Sequence, residues 1–349
     1  MYRISYIIFY CLIVVLFTSC YSPNYSIYIQ NSNLEEVEVE VLRPAEINIP
    51  PDYYKLLLIE NRDIDHQISI INNNRYYDTK KEMSIEDYSF ENYCDELNYH
   101  FRQSPKFEII NKKAFPLKIY KNDSINWDSL QLVCRLNEVD AALLISNCKT
   151  EISIISDMYA YNIFSYSFYQ YKFLFEIKAE MKFVDPFNKK VLDKITLNSK
   201  QKWTEEREYK INITQYCQNI IDNFNIYQAQ IAENYAQRIS PYWNLELRKY
   251  YGSINSDFNQ SIKYVKQNKW NKAQEIWQQY SISTKKNLAN RASYNLILAY
   301  EMEGNLVKAL EQSKKSYIEF RNYYSLQYGE LIEERIEDQE LLKKQLGEK

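Results

Sequence analysis

The chain has 349 residues, enough for two domains, and its net charge of −3 provides no basic field that would attract nucleic acid. None of its four glycines precedes Gly252, so the first two-thirds of the chain lacks the glycines of phosphate-binding loops and dinucleotide fingerprints. The two histidines, His66 and His100, form no HExxH pattern, which argues against a histidine-rich zinc site. The composition therefore predicts a globular protein with no cofactor, no metal and no nucleic-acid partner.

The N-terminus has the features of an export signal. An apolar run from Ile4 to Phe17 follows a short basic start and is shorter than the ~20 residues of a membrane span. Two small residues precede Cys20, and this arrangement resembles a lipobox, in which the cysteine is acylated. We predict a signal peptide at 1–19, lipidation of Cys20 and a tether at 20–35. An ordinary signal peptide and an uncleaved signal anchor are the alternatives.

The expected location follows from this anchor. Several acyl chains on one cysteine bind a lipid bilayer firmly. No acidic cluster that would direct surface export follows Cys20. The prediction is a lipid-anchored protein of the outer membrane, on the periplasmic face.

Residues 36–245 are predicted to form an α/β domain. Residues 35–42 alternate, with Val37, Val39 and Val41 on one face, and Leu56 to Ile59 read as a central strand covered on both faces. The polar stretch 71–82 is interpreted as a loop. A helix is predicted next from Ser84 to Phe101, with Ser84 and Asp87 at its start, followed by a strand at 107–111. A second helix, capped by Asn126, is predicted from Trp127 to about Val139, and a buried strand at 142–146. The helix after Asn126 is expected to turn Leu130, Val133, Cys134 and Leu136 inward. This order favours an α/β layer.

An antiparallel hairpin is predicted after residue 150. Alternate residues of the aromatic stretch 150–184 share one face, namely Phe173, Phe175, Ile177, Ala179, Met181 and Phe183. Asp185 to Asn188 form the turn, with Asn188 in place of a glycine, and 191–203 return as the partner strand. A long helix follows from Ile213 to Tyr235, and Ser240-Pro241 closes it.

The segment 250–345 is predicted to be an all-α domain of tetratricopeptide (TPR) type. YNLILAYEMEGNLVKALEQSKKSY at 294–317 resembles the TPR pattern, and a related unit precedes it by 36 residues, close to the usual period of about 34. The signature residues are Asn268, Trp270, Ala273, Trp277, Leu296, Ala299, Tyr300, Gly304 and Ala309. A capping helix at 322–343 is expected to turn Leu326, Leu331, Ile332 and Ile336 inward. The fold class is thus α+β: an N-terminal α/β, sandwich-like domain with a hairpin, then helical hairpins.

Four stretches, one of them the TPR-like pair described above, extend a resemblance to most of the chain. They are VEVLRPAEINIPP at 39–51, FVDPFNKKVL at 183–192, AENYAQRISPYWNLELRKYY at 232–251 and the TPR-like pair. Together with Cys20, they are similar to a family of uncharacterised, TPR-containing outer-membrane lipoproteins of the Bacteroidota. The resemblance implies an anchored α/β domain followed by TPR repeats, and it implies no mechanism.

Candidate chemical groups are few. Mature cysteines besides Cys20 are Cys94, Cys134, Cys148 and Cys217, which form disulfides or remain buried thiols. The carboxylate pairs Glu35/Glu36, Glu205/Glu206 and Glu333/Glu334 diverge on a helix or strand and are interpreted as solvated surface. The aromatic cluster from Tyr159 to Tyr171 is interpreted as sheet packing, with glycan stacking or contact with the membrane surface as the alternatives.

Two functions remain open from the sequence. The favoured hypothesis is a non-enzymatic scaffold or adaptor of the cell envelope, with a protein or peptide partner on the TPR face. The alternative is a cell-wall or glycan hydrolase or binding protein with an unidentified carboxylate site. A deep cleft with two carboxyl groups about 5–9 Å apart would favour the hydrolase, and an exposed apolar groove on the helical repeats would favour the scaffold.

Overall fold

The computed structural model describes residues 34–60, 67–74, 77–84, 90–111, 119–121, 124–161, 166–209, 211–212, 216 and 224–347. The predicted signal peptide, Cys20, most of the tether and Cys217 lie outside these residues. The described chain mixes strands and helices, as the sequence predicts.

The strands are β1 Leu34–Arg43, β2 Lys55–Glu60, β3 Gln67–Asn74, β4 Tyr77–Ser84, β5 Glu108–Asn111, β6 Tyr120–Lys121, β7 Ser124–Ile125, β8 Ala141–Tyr161, β9 Tyr166–Asp185, β10 Lys190–Arg207 and β11 Tyr242–Tyr251. The helices are α1 Phe90–Gln103, α2 Trp127–Leu136, α3 Phe224–Ile239, α4 Ser256–Lys266, α5 Trp270–Ser281, α6 Lys286–Met302, α7 Leu306–Phe320 and α8 Tyr323–Leu346.

Two compact units contain these elements. One, the helical unit, comprises residues 34–39 and Leu247–Glu333; the other, the sheet unit, comprises Glu40–Glu246 and residues 334–347. The unit boundaries fall within β1, β11 and α8.

A seven-stranded mixed sheet is the centre of the sheet unit. Its main strand order is β10-β9-β8-β2-β5. Strand β2 pairs with the first part of the long strand β8, and β3 pairs with a later part of it. Strand β4 pairs with β3. β2 is parallel to both β5 and β8, and β3 is parallel to β8, while the β8–β9 and β9–β10 pairs are antiparallel. β1 pairs with β11 in a separate two-stranded sheet, and β6 pairs with β7.

The central strand β2 has a buried side chain on each face of the sheet. Leu56 and Leu58 belong to one apolar cluster with α1 and α3, and Leu57 and Ile59 belong to another with α2. A continuous apolar run is what a strand covered on both faces requires. This confirms the prediction for residues 56–59.

The hairpin forms as predicted, with one correction. The six alternating residues from Phe173 to Phe183 are all buried in the cluster shared with α1 and α3. Asp185 accepts hydrogen bonds from the backbone N–H groups of Phe187 and Asn188 and from the hydroxyl of Tyr53. Burial alone would raise the pKa of Asp185, but these hydrogen bonds lower it. The residue with positive φ is Lys189, at 51°, and the assignment of that role to Asn188 is wrong.

Other predictions in this unit need correction. The polar stretch 71–82, expected to be a loop, holds the second half of β3 and most of β4, which pair with each other; residues 75–76 are not described. Ser84 ends β4, and α1 begins at Phe90, so Ser84 is no helix cap. Asp87, its expected companion, lies outside the described residues.

Helix α2 follows the prediction at its start and departs from it at its end. The side chain of Asn126 accepts a hydrogen bond from the backbone of Ser129, which confirms the cap. Leu130, Val133 and Cys134 are buried. Leu136 is exposed in the last turn, so its predicted inward position is wrong.

A clamp between distant parts of the sequence completes the sheet unit. The side chain of Gln345 in α8 accepts a hydrogen bond from Ala45 N–H at 2.9 Å and donates one to Ala45 C=O at 3.0 Å. A Cβ on Gly347, whose φ is +71°, would lie 3.0 Å from the ring of Pro51. The end of α8 is thus fixed to the segment that follows β1.

Candidate functional site

The two helical hairpins α4–α5 and α6–α7 have the same turn. Asn268 and Gly304, 36 positions apart, have φ of 56° and 75°. In each turn the residue after them donates its N–H to a tyrosine carbonyl, Lys269 to Tyr264 at 2.8 Å and Asn305 to Tyr300 at 3.0 Å. The repetition of the sequence is therefore a repetition of backbone hydrogen bonds.

A cation–π contact repeats with the same spacing. Lys272 Nζ lies 5.6 Å from the ring centroid of Tyr264, and Lys308 Nζ lies 4.2 Å from that of Tyr300. The two lysines, like the two tyrosines, are 36 residues apart. The two hairpins thus share side-chain geometry as well as turn geometry.

The predicted signature residues pack the hairpins and do not form an exposed site. The buried members are Trp270, Ala273, Trp277, Leu296, Ala299, Tyr300 and Ala309. Asn268 and Gly304 are exposed in the turns. The buried signature residues are therefore not available for contact with a partner.

Helix α6 offers no free face along its second half. Every residue from Ala292 to Glu301 is buried. Asn295 accepts a hydrogen bond from the backbone N–H of Tyr251 at 2.7 Å and donates one to its C=O at 2.8 Å. The helix is thereby bonded to β11, and a ligand cannot lie against this part of α6.

A buried ionic network lies at the end of the same helix. The guanidinium of Arg248 donates to both carboxylate oxygens of Glu301 at 3.0 to 3.2 Å. The hydroxyl of Tyr328 in α8 donates to Glu301 at 2.5 Å. Burial, with the Glu301 charge, raises the pKa of Tyr328 well above its ordinary value, so this phenol remains a donor.

An exposed apolar groove lies between α7 and α8 in the described part of the helical unit. It has a volume of about 200 Å³ and is lined mainly by Leu310, Tyr317, Ile318 and Leu326. Ile318 is 70% exposed. Lys314 and Glu333 form an ion pair at 3.1 Å along it, and Glu330 is a further lining residue.

Gly329 allows the two helices of this groove to approach. A Cβ at this position would lie 2.5 Å from Ser313 Oγ, which is too close without a shift. Ser313 is itself buried and donates to the carbonyl of Leu310 at 2.8 Å. Of the residues predicted to face inward from α8, Ile332 is buried, but Leu326 and Leu331 are exposed, which corrects the prediction for both.

The sheet unit contains a second concave feature, which we call the α1–α3 cleft. It has a volume of about 280 Å³ and lies among the ends of α1 and α3 and the start of β11. Glu233 is the one carboxylate among the described residues that line it. The pair of carboxylates that would favour a hydrolase is therefore not found in this cleft.

The other candidate groups have structural contacts where they are described. Glu205 accepts hydrogen bonds from Tyr216 and Arg207, and Glu334 pairs with Arg43 at 2.9 Å. Tyr171 is buried and stacks on Phe173, with 6.2 Å between the ring centroids. For this residue of the aromatic cluster, the structure agrees with the interpretation as sheet packing. Side chains from 156 to 168 lie outside the described set.

Two cysteine side chains are described, and one of them is unreactive at neutral pH. Cys94 and Cys134 are present as thiols. Burial raises the pKa of Cys134 to about 12, so this thiol does not ionise at neutral pH. The side chain of Cys148 is not described. In the described ranges we find no group of three His, Cys, Asp or Glu side chains placed to hold a metal ion, and no helix long and apolar enough to cross a membrane.

Comparison with known proteins identifies families of unknown function. Residues 58–251 match Domain of unknown function (DUF8603), and residues 259–343 match Domain of unknown function (DUF6340). No curated protein matches.

Several solved structures overlap the chain in part. A minor lipoprotein from Acinetobacter baumannii is 9% identical, with 55% of this chain and 98% of that chain covered and a TM-score of 0.27. A putative neuraminyllactose-binding hemagglutinin homolog from Helicobacter pylori is 10% identical, with 54% and 81% covered and a TM-score of 0.24. A lipoprotein from Neisseria meningitidis is 12% identical, with 49% and 99% covered and a TM-score of 0.17. Likenesses at these TM-scores carry no functional conclusion. The DUF8603 match spans more than half of the residues, and the chain therefore belongs to the DUF8603 family.

Proposed function

We propose that this protein is a lipid-anchored, non-enzymatic scaffold of the bacterial envelope that binds a partner protein through its helical unit. The observation that carries the proposal is the exposed apolar groove between α7 and α8. Apolar side chains such as Ile318 and Leu326 gain nothing from contact with water, and burying them against a partner is favourable.

The occupant we propose is an amphipathic helix of the partner. Such helices place apolar residues at spacings of three and four into a groove between helices. The acidic Glu330 beside the groove would favour a basic residue at the edge of that helix. The hairpins α4–α5 and α6–α7 are proposed to be TPR repeats, which present such grooves.

The anchor is proposed from the sequence around Cys20, and the outer membrane, on its periplasmic face, is the proposed location. Cys20→Ser would release the protein from the membrane fraction or leave its precursor unprocessed. Unchanged processing and unchanged sedimentation with membranes would contradict the anchor and leave the groove proposal to its own test.

Site-specific photocrosslinking tests the groove. A photoreactive phenylalanine analogue at position 318 should yield a defined adduct in native envelopes, and the same analogue at Val307 should not. Val307 is a matched control, because it lies on the same helix and is 63% exposed but does not line the groove. Leu326→Glu should remove the adduct at 318 without lowering the melting temperature. Adducts that are equal at both positions, or absent at 318, would contradict the proposal.

A further inference from the structure

The α1–α3 cleft has aromatic walls. Tyr99 and Trp243 are 58% and 55% exposed, and both line the cleft together with Tyr242. The ring of His100 meets that of Tyr99 edge-on, with 5.4 Å between centroids. Exposed aromatic rings beside a cavity offer a large apolar contact area at a low cost in side-chain entropy.

The polar groups of the cleft are mostly neutral amides and hydroxyls. Gln103, Ser104, Gln237 and Ser240 line it. Gln237 Nε2 donates to Glu233 Oε1 at 3.0 Å, which orients both side chains across one turn of α3. An amide side chain can donate and accept at once, and a carboxylate accepts, so the two together suit paired hydroxyl groups on a ring.

The cleft is held by fixed backbone elements. Ser104 and Ser240 share a hydrogen bond of 2.5 Å, which joins the segment after α1 to the segment after α3. The backbone N–H of Lys106 donates to Ser104, and that of Ser240 donates to Ala236. A cleft built on helix ends that are bonded to each other is largely preformed for a ligand.

The charge of the cleft restricts the class of ligand. Its described lining includes one carboxylate, Glu233, and no lysine or arginine. An anionic ligand would therefore meet repulsion without a cationic partner. A neutral ligand with hydroxyl groups and an apolar face fits both the aromatic walls and the amides.

We propose that the α1–α3 cleft binds a neutral saccharide, with Trp243 or Tyr99 against the C–H face of a pyranose ring and Gln103, Gln237 and Glu233 on its hydroxyls. The volume of about 280 Å³ is at the lower end for ligand pockets and suits one or two sugar rings. The residues that line this cleft and those that line the α7–α8 groove do not overlap, so either proposal can fail without the other.

Titration of the full-length protein in detergent tests this site. The probes are chitotetraose, maltotetraose and the anionic tetragalacturonate, followed by calorimetry and by saturation-transfer NMR. Binding of chitotetraose alone would indicate a ligand with acetamido groups, and binding of maltotetraose a plain glucan; either supports the proposal. Absence of binding by both neutral probes at millimolar concentration, or tighter binding of tetragalacturonate, would overturn it.

Variants locate the binding in the cleft. Trp243→Ala should weaken the affinity for the neutral probe about tenfold, because stacking on the ring is lost, and Trp243→Phe should retain most of it. Leu245→Ala is the matched control, since Leu245 lies two residues along the same strand and is 64% exposed but does not line the cleft. Gln103→Ala, on a different element, should also weaken binding. Affinity unchanged in both Trp243→Ala and Gln103→Ala would overturn the assignment.

Discussion

The sheet unit and the helical unit place their buried polar groups differently. In the sheet unit both faces of β2 are covered by apolar side chains, and the buried Asp185 and Asp193 lie at the β9–β10 turn and the bulge that follows it. In the helical unit, by contrast, Arg248, Glu301 and Asn295 are enclosed between β11 and α6. Apolar contacts tolerate small displacements, whereas hydrogen bonds between buried groups do not. We infer that backbone pairing sets the alignment of the strands in the sheet unit. In the helical unit, buried polar contacts set the alignment of β11 against α6.

The largest effect should follow from breaking the buried ion pair. Glu301→Leu would leave the guanidinium of Arg248 buried without its carboxylate, and we expect a loss of about 3–5 kcal/mol in the free energy of unfolding. The double variant Arg248→Met/Glu301→Leu should be more stable than Glu301→Leu, because no buried charge remains. Urea denaturation of the three proteins measures this. A double variant as unstable as Glu301→Leu would show that the pair itself holds the unit together.

The apolar side of the comparison is tested on helix α2. Leu130→Ala should destabilise the protein by about 2–5 kcal/mol, because it opens a cavity among side chains that cannot fully collapse. Leu136→Ala removes the same atoms from an exposed position of the same helix and should change stability by no more than about 0.5 kcal/mol. Comparable losses in the two variants would contradict the burial of Leu130.

A pH experiment examines the most buried cation of the described sheet unit. Lys106 is 4% exposed, and its Nζ donates to the carbonyl of Ile49. Burial lowers its pKa from 10.5 to about 8. Between these two pH values the unfolded chain holds a proton that the folded chain has released, so stability rises with pH.

The comparison with Lys106→Met isolates this effect, since all other groups titrate in both proteins. Between pH 7.0 and 9.5 the stability of the wild type should increase by about 2 kcal/mol relative to Lys106→Met. Chemical denaturation at both pH values gives the difference. If the stability of the wild type instead fell relative to that of Lys106→Met over this pH range, the fold would favour the ammonium form of Lys106.

The smallest effect is expected in the repeated turn. At Gly304 a Cβ would meet no atom within 4 Å, so the cost of Gly304→Ala is conformational alone and should be about 1 kcal/mol. Gly304→Asn should cost less, because Asn268 adopts the same left-handed conformation in the preceding hairpin. Melting temperatures should fall in the order Gly, Asn, Ala. If Asn is no better than Ala, the two turns are not equivalent.

Much of the fold could be predicted because the pattern and the burial agree. Alternation places Val39 and Val41 on the buried face of β1, and the continuous apolar run at 56–59 indicates a strand that is covered on both faces of the sheet. Strand β4 could not be recognised in this way, because its sequence YDTKKEMS has no apolar alternation, and β3 alternates only at Ile68 and Ile70 before its polar end. The pairing of β4 with β3, and of β3 with β8, is a tertiary effect that single-sequence patterns do not contain.

The candidate sites were the least predictable part. Leu326 has the spacing of a core residue, but it lines an exposed groove, since spacing alone does not say which apolar face meets a neighbour. The α1–α3 cleft brings Tyr99 together with Gln237 and Trp243, from two segments that are far apart in the sequence. Only the packing of α1 against α3 places them together. In the sequence, the one local feature that marks this site is the aromatic pair Tyr242-Trp243 directly after Ser240-Pro241.

The clamp between Ala45 and Gln345 has a consequence for the order of events during biosynthesis. The amide groups of Ala45 receive their partner only after 300 further residues have been made. Until then these two backbone groups must hydrogen-bond to water. A chain interrupted before Gln345 would therefore leave the backbone of Ala45 without its partner, and exposed, unbonded backbone is where proteases cut most readily.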